Sequence, residues 1–274
     1  MPPPPLLHCE WQGNPSGPPV VFLHGFMGSG SDWAEVIDLL SGVYHCLTID
    51  LPGHGKSLNF TDHGAYTLSA ASLGVAAAMN EAGIRSAPMV GYSMGGRVAL
   101  DLAIHHEHLC SRLVLESASA GIPKEEARAE RLASDEKRAR ELEQGPFEDF
   151  LRTWYAQPIF VSLTDDVKGL EEVLRRRRAN EPVELAKALR GMSVGAQAPL
   201  WAFLPGLNIP VLLVAGKRDG KYADVIRQMA LLLPRATVEI IPGVGHNAHV
   251  ESPSLMARLI KQFLQGVEDS YGDH

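Results

Sequence analysis

The chain has 274 residues, 45% of them hydrophobic and 21% charged, with a formal net charge of −7. These are globular proportions at a length that buries a sizeable core, and they admit one large domain with an insertion or two small ones. The acidic balance excludes a general nucleic-acid binder, which is basic.

The apolar run Val20-Val21-Phe22-Leu23 reads as a buried strand leading into His24-Gly25. Residues 32–40 have helical spacing, with Ser31 or Asp32 as the cap, and residues 44–49 read as a strand before the glycine-rich loop Asp50-Leu51-Pro52-Gly53-His54-Gly55. An alanine-rich helix is predicted over 68–82, then a strand over 87–90, a helix after residue 93 and a strand over 112–116. After Gly121 the pattern changes, and residues 124–143, 146–155, 163–179 and 183–194 predict four helices with almost no strand signal. Strand grammar resumes over 209–216 and 237–241, with helices over 222–233 and 253–264. Strands alternating with helices imply an α/β fold with a mostly parallel central sheet flanked by helices. The expected organisation is therefore a core of residues 1–121 and 201–274, interrupted by an all-helical cap of residues 122–200. Residues 2–5 and the tail from residue 266 read as loose ends.

No apolar run is long enough to span a membrane, and the start, Met1 followed by four prolines, lacks the pattern of a secretory signal. Cys9, Cys46 and Cys110 are odd in number and widely spaced, which suggests reduced, mostly buried thiols in a cytoplasmic protein, or a plastid protein without its transit peptide.

Gly91-Tyr92-Ser93-Met94-Gly95 ends one predicted strand and opens the next helix, the context of a nucleophile elbow. A serine hydroxyl reacts only when a histidine takes its proton and an acid orients that histidine. Asp219 follows the strand over 209–216, and His246 follows the strand over 237–241, so all three groups fall at the carboxyl ends of strands. Asp224 and His249 are the competing positions; Asp224 should lie inside a helix, and His246 directly follows the glycine loop. Two nearby histidines without clustered carboxylates or thiols do not make a metal site. The turn His24-Gly25-Phe26-Met27-Gly28 supplies the expected oxyanion donors, the N–H groups of Phe26 and Met94. His54, His105, His106 and His108 read as structural or solvated residues. Arg97, one turn after Ser93, is placed to face the same pocket and suits a carboxylate better than an apolar ester. The cap segment, residues 122–200, carries 14 Lys and Arg against 15 Asp and Glu, so only selected arginines there can serve a site.

The catalytic strings and the inserted cap resemble the α/β-hydrolase superfamily. The longer strings VFLHGFMGSGSDW, IDLPGHGKS, VGYSMGGRVAL, ARAERLASDE, WYAQPIF, GKRDGKY and GVGHNAHVESP resemble, more narrowly, the 2-succinyl-6-hydroxy-2,4-cyclohexadiene-1-carboxylate synthase family of menaquinone and phylloquinone biosynthesis. The resemblance implies a lyase that eliminates pyruvate from an enolpyruvyl cyclohexene precursor by proton abstraction. It needs no metal or organic cofactor. It also implies that Arg131 and Arg175 join Arg97 in binding a small multi-carboxylate substrate, with Tyr92 and Trp154 as pocket residues. The protein would be a monomer or small homo-oligomer without nucleic-acid or membrane partners. The alternatives are a carboxylesterase or C–C bond hydrolase acting on an acidic substrate, and a non-catalytic ligand-binding relative.

Overall fold

The run at residues 20–23 is buried on both sides, as an interior strand of a parallel sheet must be. Val21 and Leu23 face one apolar layer, while Val20 and Phe22 face the other. The computed structural model describes residues 4–266. Its strands are β1 (Cys9–Gly13), β2 (Pro19–Leu23), β3 (His45–Ile49), β4 (Ala87–Tyr92), β5 (Cys110–Glu116), β6 (Val211–Gly216) and β7 (Ala236–Ile241). They form one sheet in the order β1-β3-β2-β4-β5-β6-β7. Only β1 runs antiparallel to its neighbour.

Helices α1 (Ala34–Leu40), α2 (Leu68–Glu81) and α3 (Met94–His105) lie between the first five strands. Five more, α4 (Glu125–Gln144), α5 (Phe147–Tyr155), α6 (Val161–Asp165), α7 (Val167–Arg177) and α8 (Pro182–Gly191), intervene between β5 and β6. Helices α9 (Gly220–Ala230), α10 (Ala248–Glu251) and α11 (Pro253–Gln265) complete the described chain. One core layer takes Val75, Val98 and Ile226 from α2, α3 and α9; the other takes Ile37 and Ile260 from α1 and α11.

The intervening helices have their own apolar cluster, including Phe150, Leu151, Val173 and Leu185, into which Met27 projects from the sheet side. Helix α8 also serves the main core, because Ala188 and the adjacent Met192 belong to it. Its backbone lies so close to the 50–55 loop that a Cβ on Gly53 would stand 2.6 Å from the Glu184 carbonyl oxygen.

The structure corrects several expectations. Strand β1 is an addition to the expected strands: it is a short edge strand with exposed Glu10, Trp11 and Gly13, so it lacks an apolar run. Residues 32–40 are not one helix, because a 3-10 turn spans Gly30–Trp33 before α1 and the Asp32 carboxylate caps nothing. The expected helix over 163–179 is broken at Asp166, whose carboxylate accepts the Gly169 N–H at 3.1 Å and caps α7 instead. Of the ends expected to be loose, Pro5 is buried against Gly74, while residues 1–3 and 267–274 lie outside the described residues.

Candidate active site

Strand β4 delivers Ser93 into α3 through an abrupt turn. Ser93 has φ 49° and ψ −104°, a conformation that a non-glycine residue holds only when its surroundings enforce it. Those surroundings are tight. A Cβ on Gly95 would stand 2.5 Å from the carbonyl oxygens of Leu23 and His24, and one on Gly91 would stand 2.7 Å from the Gly95 oxygen. The Ser93 N–H donates to the Glu116 carbonyl at 2.8 Å, tying the elbow to the neighbouring strand.

Ser93 Oγ lies 3.2 Å from His246 Nε2, and His246 Nδ1 lies 2.5 Å from Asp219 Oδ2. Asp219 also accepts the Tyr222 N–H at the start of α9, so helix formation fixes its carboxylate. His246 and Asp219 are both 2% exposed, whereas Ser93 opens onto a cavity of about 380 Å³. The structure thus brings the three expected groups into one hydrogen-bonded chain. It does not bring the competitors there: Asp224 is exposed and pairs with Arg227. His249 is buried and bonded through Nδ1 to Glu116 at 2.8 Å.

Phe26 and Met94 both line the cavity beside Ser93. Met94 is the first residue of α3, so its N–H has no acceptor within the helix. Phe26 is the second residue of a turn closed by Gly28 N–H to Gly25 oxygen at 3.0 Å, with Met27 at φ 61°. His24 holds this turn. Its Nε2 accepts from the Leu51 N–H at 2.9 Å, which leaves Nδ1 to donate to the Gly25 oxygen at 2.8 Å. Burial lowers its pKa and favours that neutral form.

The cavity walls carry four cations, and their partners differ. Arg97 is 9% exposed and donates to the Gln197 side-chain oxygen at 2.9 Å and the Met192 carbonyl at 2.6 Å, both neutral acceptors. Burial pushes its pKa down to about 10. Arg131 spends its Nε on both oxygens of buried Asp135, at 2.8 Å each. Arg177, 3% exposed, is paired with Asp32 through both terminal nitrogens at 2.8 Å and donates from Nε to the Tyr155 hydroxyl at 3.0 Å. Burial alone lowers the pKa of Arg177, but Asp32 and Tyr155 together outweigh it and the net shift is upward. Lys221 has no hydrogen bond or ion pair among the described residues.

Arg175 requires a correction. It is exposed and paired with Glu172 at 2.8 Å, outside the cavity. In the run of four arginines it is Arg177, two positions on, that faces inward. Two helical steps turn a side chain by about 200°, so these residues occupy opposite faces. Trp154 lines the cavity and packs on Phe26, with ring centroids 4.9 Å apart. Tyr92 also lines it, and its hydroxyl donates to the Asn247 side-chain oxygen at 2.6 Å. Arg177, Lys221, Tyr222 and Asn247 were not among the expected site residues. A signal existed for the last three, which neighbour Asp219 or His246. Among the described residues no group of three or more His, Cys, Asp or Glu is arranged to hold a metal ion. No described helix is long and apolar enough to cross a membrane.

Comparisons with known proteins agree with this fold. A family model described as the alpha/beta hydrolase fold matches residues 18–253. A 2-succinyl-6-hydroxy-2,4-cyclohexadiene-1-carboxylate synthase from Yersinia pestis is 34% identical over 250 residues, which cover 91% of this chain and 88% of that protein. The solved structure of MenH from S. aureus superposes with a TM-score of 0.89 at 32% identity, over 94% of this chain and 98% of that one. A thermophilic esterase from Thermogutta terrifontis, solved with malate bound, gives a TM-score of 0.82 at 25% identity, over 95% of this chain and 93% of that one.

Proposed function

Because this chain belongs to the α/β-hydrolase family and, within it, to the 2-succinyl-6-hydroxy-2,4-cyclohexadiene-1-carboxylate synthases, we propose that its Ser93–His246–Asp219 chain drives the elimination of pyruvate from 2-succinyl-5-enolpyruvyl-6-hydroxy-3-cyclohexene-1-carboxylate. The observation that carries the reading is Arg97. A buried guanidinium with only neutral partners is costly unless an anion completes it, and this one faces the same cavity as Ser93. A substrate bearing three carboxylates supplies that anion.

The ring carbon α to the succinyl carbonyl gives its proton to Ser93 Oγ, while His246 Nε2 takes the serine proton. Asp219 orients His246 and stabilises its cationic form. The electron pair left on carbon delocalises to the carbonyl oxygen, which the N–H groups of Phe26 and Met94 receive. That pair then returns through the ring. The C–O bond to the enolpyruvyl group breaks, its electrons leave on oxygen, and a second ring double bond forms. The expelled enolate takes up a proton and becomes pyruvate. No acyl-enzyme forms, so the serine serves in a base relay. Arg97, Arg131 and, in place of Arg175, Arg177 bind substrate carboxylates, with Tyr92 and Trp154 shaping the pocket. We further propose that residues 122–200 act as a cap over a core of residues 1–121 and 201–274, since the cavity lies between cap residues such as Trp154 and the elbow.

A competition assay tests the reading against the alternative of a carboxylesterase or C–C hydrolase. The enolpyruvyl precursor should be consumed far faster than short aryl esters. Efficient ester cleavage with the precursor untouched would reverse the assignment.

A further inference from the structure

The four cavity cations fall into two kinds. Three are arginines held from behind: Arg97 by Gln197 and Met192, Arg131 by Asp135, and Arg177 by Asp32 and Tyr155. Each enters the cavity with its position set by hydrogen bonds to fixed partners. Lys221 is the exception. It is exposed, it lines the cavity, and its Nζ lies over the Tyr222 ring at 5.6 Å from the centroid. Partial desolvation and the nearby Arg131 charge lower its pKa, in keeping with a cation that shares a wall with other cations and lacks an anion. Tyr222 in turn packs on His246 at 4.7 Å between centroids, so Lys221 stands on the wall that carries the proton acceptor.

From these positions, and resting on the lyase reading above, we propose that Lys221 binds the carboxylate of the enolpyruvyl group, the part of the substrate that leaves. The two carboxylates retained in the product suit fixed, bidentate arginines. The departing fragment is better held by a flexible point charge at the rim, which neutralises the growing negative charge of the leaving group and accompanies it toward solvent. The sequence of the loop explains the placement. Asp219 caps α9 and Gly220 is its first residue, so Lys221 projects from the first turn, two residues from the acid that orients His246.

Binding measured by calorimetry separates the carboxylates. In a Ser93→Ala background, which holds substrate without turnover, Lys221→Gln should weaken the enolpyruvyl substrate by about 10- to 100-fold, the worth of one charge-assisted hydrogen bond. Affinity for the product, which lacks the enolpyruvyl group, should change by less than about 3-fold, within the usual spread for an uninvolved surface residue. Lys221→Arg should restore most of the loss. The melting temperature should change little, because among the described residues Lys221 has no hydrogen bond or ion pair and only a long contact with the Tyr222 ring. Equal weakening of substrate and product, or no weakening of either, would overturn the proposal. So would a Ser93→Ala protein that binds neither ligand. Pyruvate release by the protein with Ser93 intact, measured alongside, tells whether the lyase reading fails with it or stands alone.

Discussion

Arg97 shows most plainly how a single side chain is tuned for work rather than stability. The shift of its pKa to about 10 corresponds to about 3 kcal/mol of unfavourable burial. The two acceptors it satisfies, on Gln197 and Met192, cost about 1 kcal/mol each when left unpaired. Arg97→Met should therefore leave the melting temperature unchanged or raise it, while weakening use of the carboxylate substrate roughly 10- to 100-fold in kcat/KM. A loss of melting temperature of roughly 5 °C or more would contradict the ledger. Ser93, with its enforced φ of 49°, is a second residue whose conformation serves function. At this scale the sequence shows function where local rules suffice. Ser93, Asp219 and His246 follow apolar runs, and the ends of such runs can be read directly. Arg177 could not be singled out, since choosing among four consecutive arginines needs the phase of α7, and that phase is set by the Asp166 cap and by contacts from distant Asp32 and Tyr155. Lys221 neighbours Asp219, yet a lone lysine in a helix's first turn is usually a solvated charge.

Between elements, a buried tie joins α7 to the 3-10 turn before α1, the Asp32–Arg177 pair, with the two side chains 1% and 3% exposed. Removing one partner strands a buried charge. Asp32→Asn should cost about 3–5 kcal/mol in denaturant unfolding, and Asp32→Asn combined with Arg177→Met should recover much of that loss. A double variant as unstable as the sum of the two single ones would show that the pair is not coupled. Helices α4 and α8 are joined differently, by Arg190 of α8 bonded to Glu136 and Glu143 of α4 at the surface. Hydrogen bonds from Arg190 and then Arg140 hold the Glu136 carboxyl down to about 2. A carboxyl lowered in the fold stabilises it above the ordinary value of 4.5, and that contribution disappears as pH falls toward 2. Glu136→Gln should thus melt below the parent protein near neutral pH, by a small margin typical of exposed pairs, with the gap closing below about pH 4. A gap that widens in acid would refute the sign. The elements themselves were largely legible. Period and apolar runs identify six strands of the seven described, and the edge strand β1 escaped because its side chains are polar or exposed. The division of residues 163–179 was hidden because the competing cap at Asp166 is a side-chain choice.

Across the whole molecule, a chain of net charge −7 encloses a cavity whose cations outnumber its visible anions. A polyanionic substrate is therefore drawn by a local field against an unfavourable global one. Its kcat/KM should fall several-fold as ionic strength rises from about 0.02 M to about 0.3 M, where the Debye length shrinks from about 20 Å to about 6 Å and the pull of the cavity cations on the approaching anion is screened. A rise with salt would mean that the global repulsion dominates. The central claim is that Ser93 belongs to a base relay for elimination. The measurement that meets it most directly is pyruvate release, followed continuously from freshly made enolpyruvyl precursor. The protein with Ser93 intact should yield one pyruvate per precursor consumed, and Ser93→Ala should slow release by roughly 10²- to 10⁴-fold. Release at an undiminished rate from Ser93→Ala, or precursor consumed without pyruvate, would contradict the account.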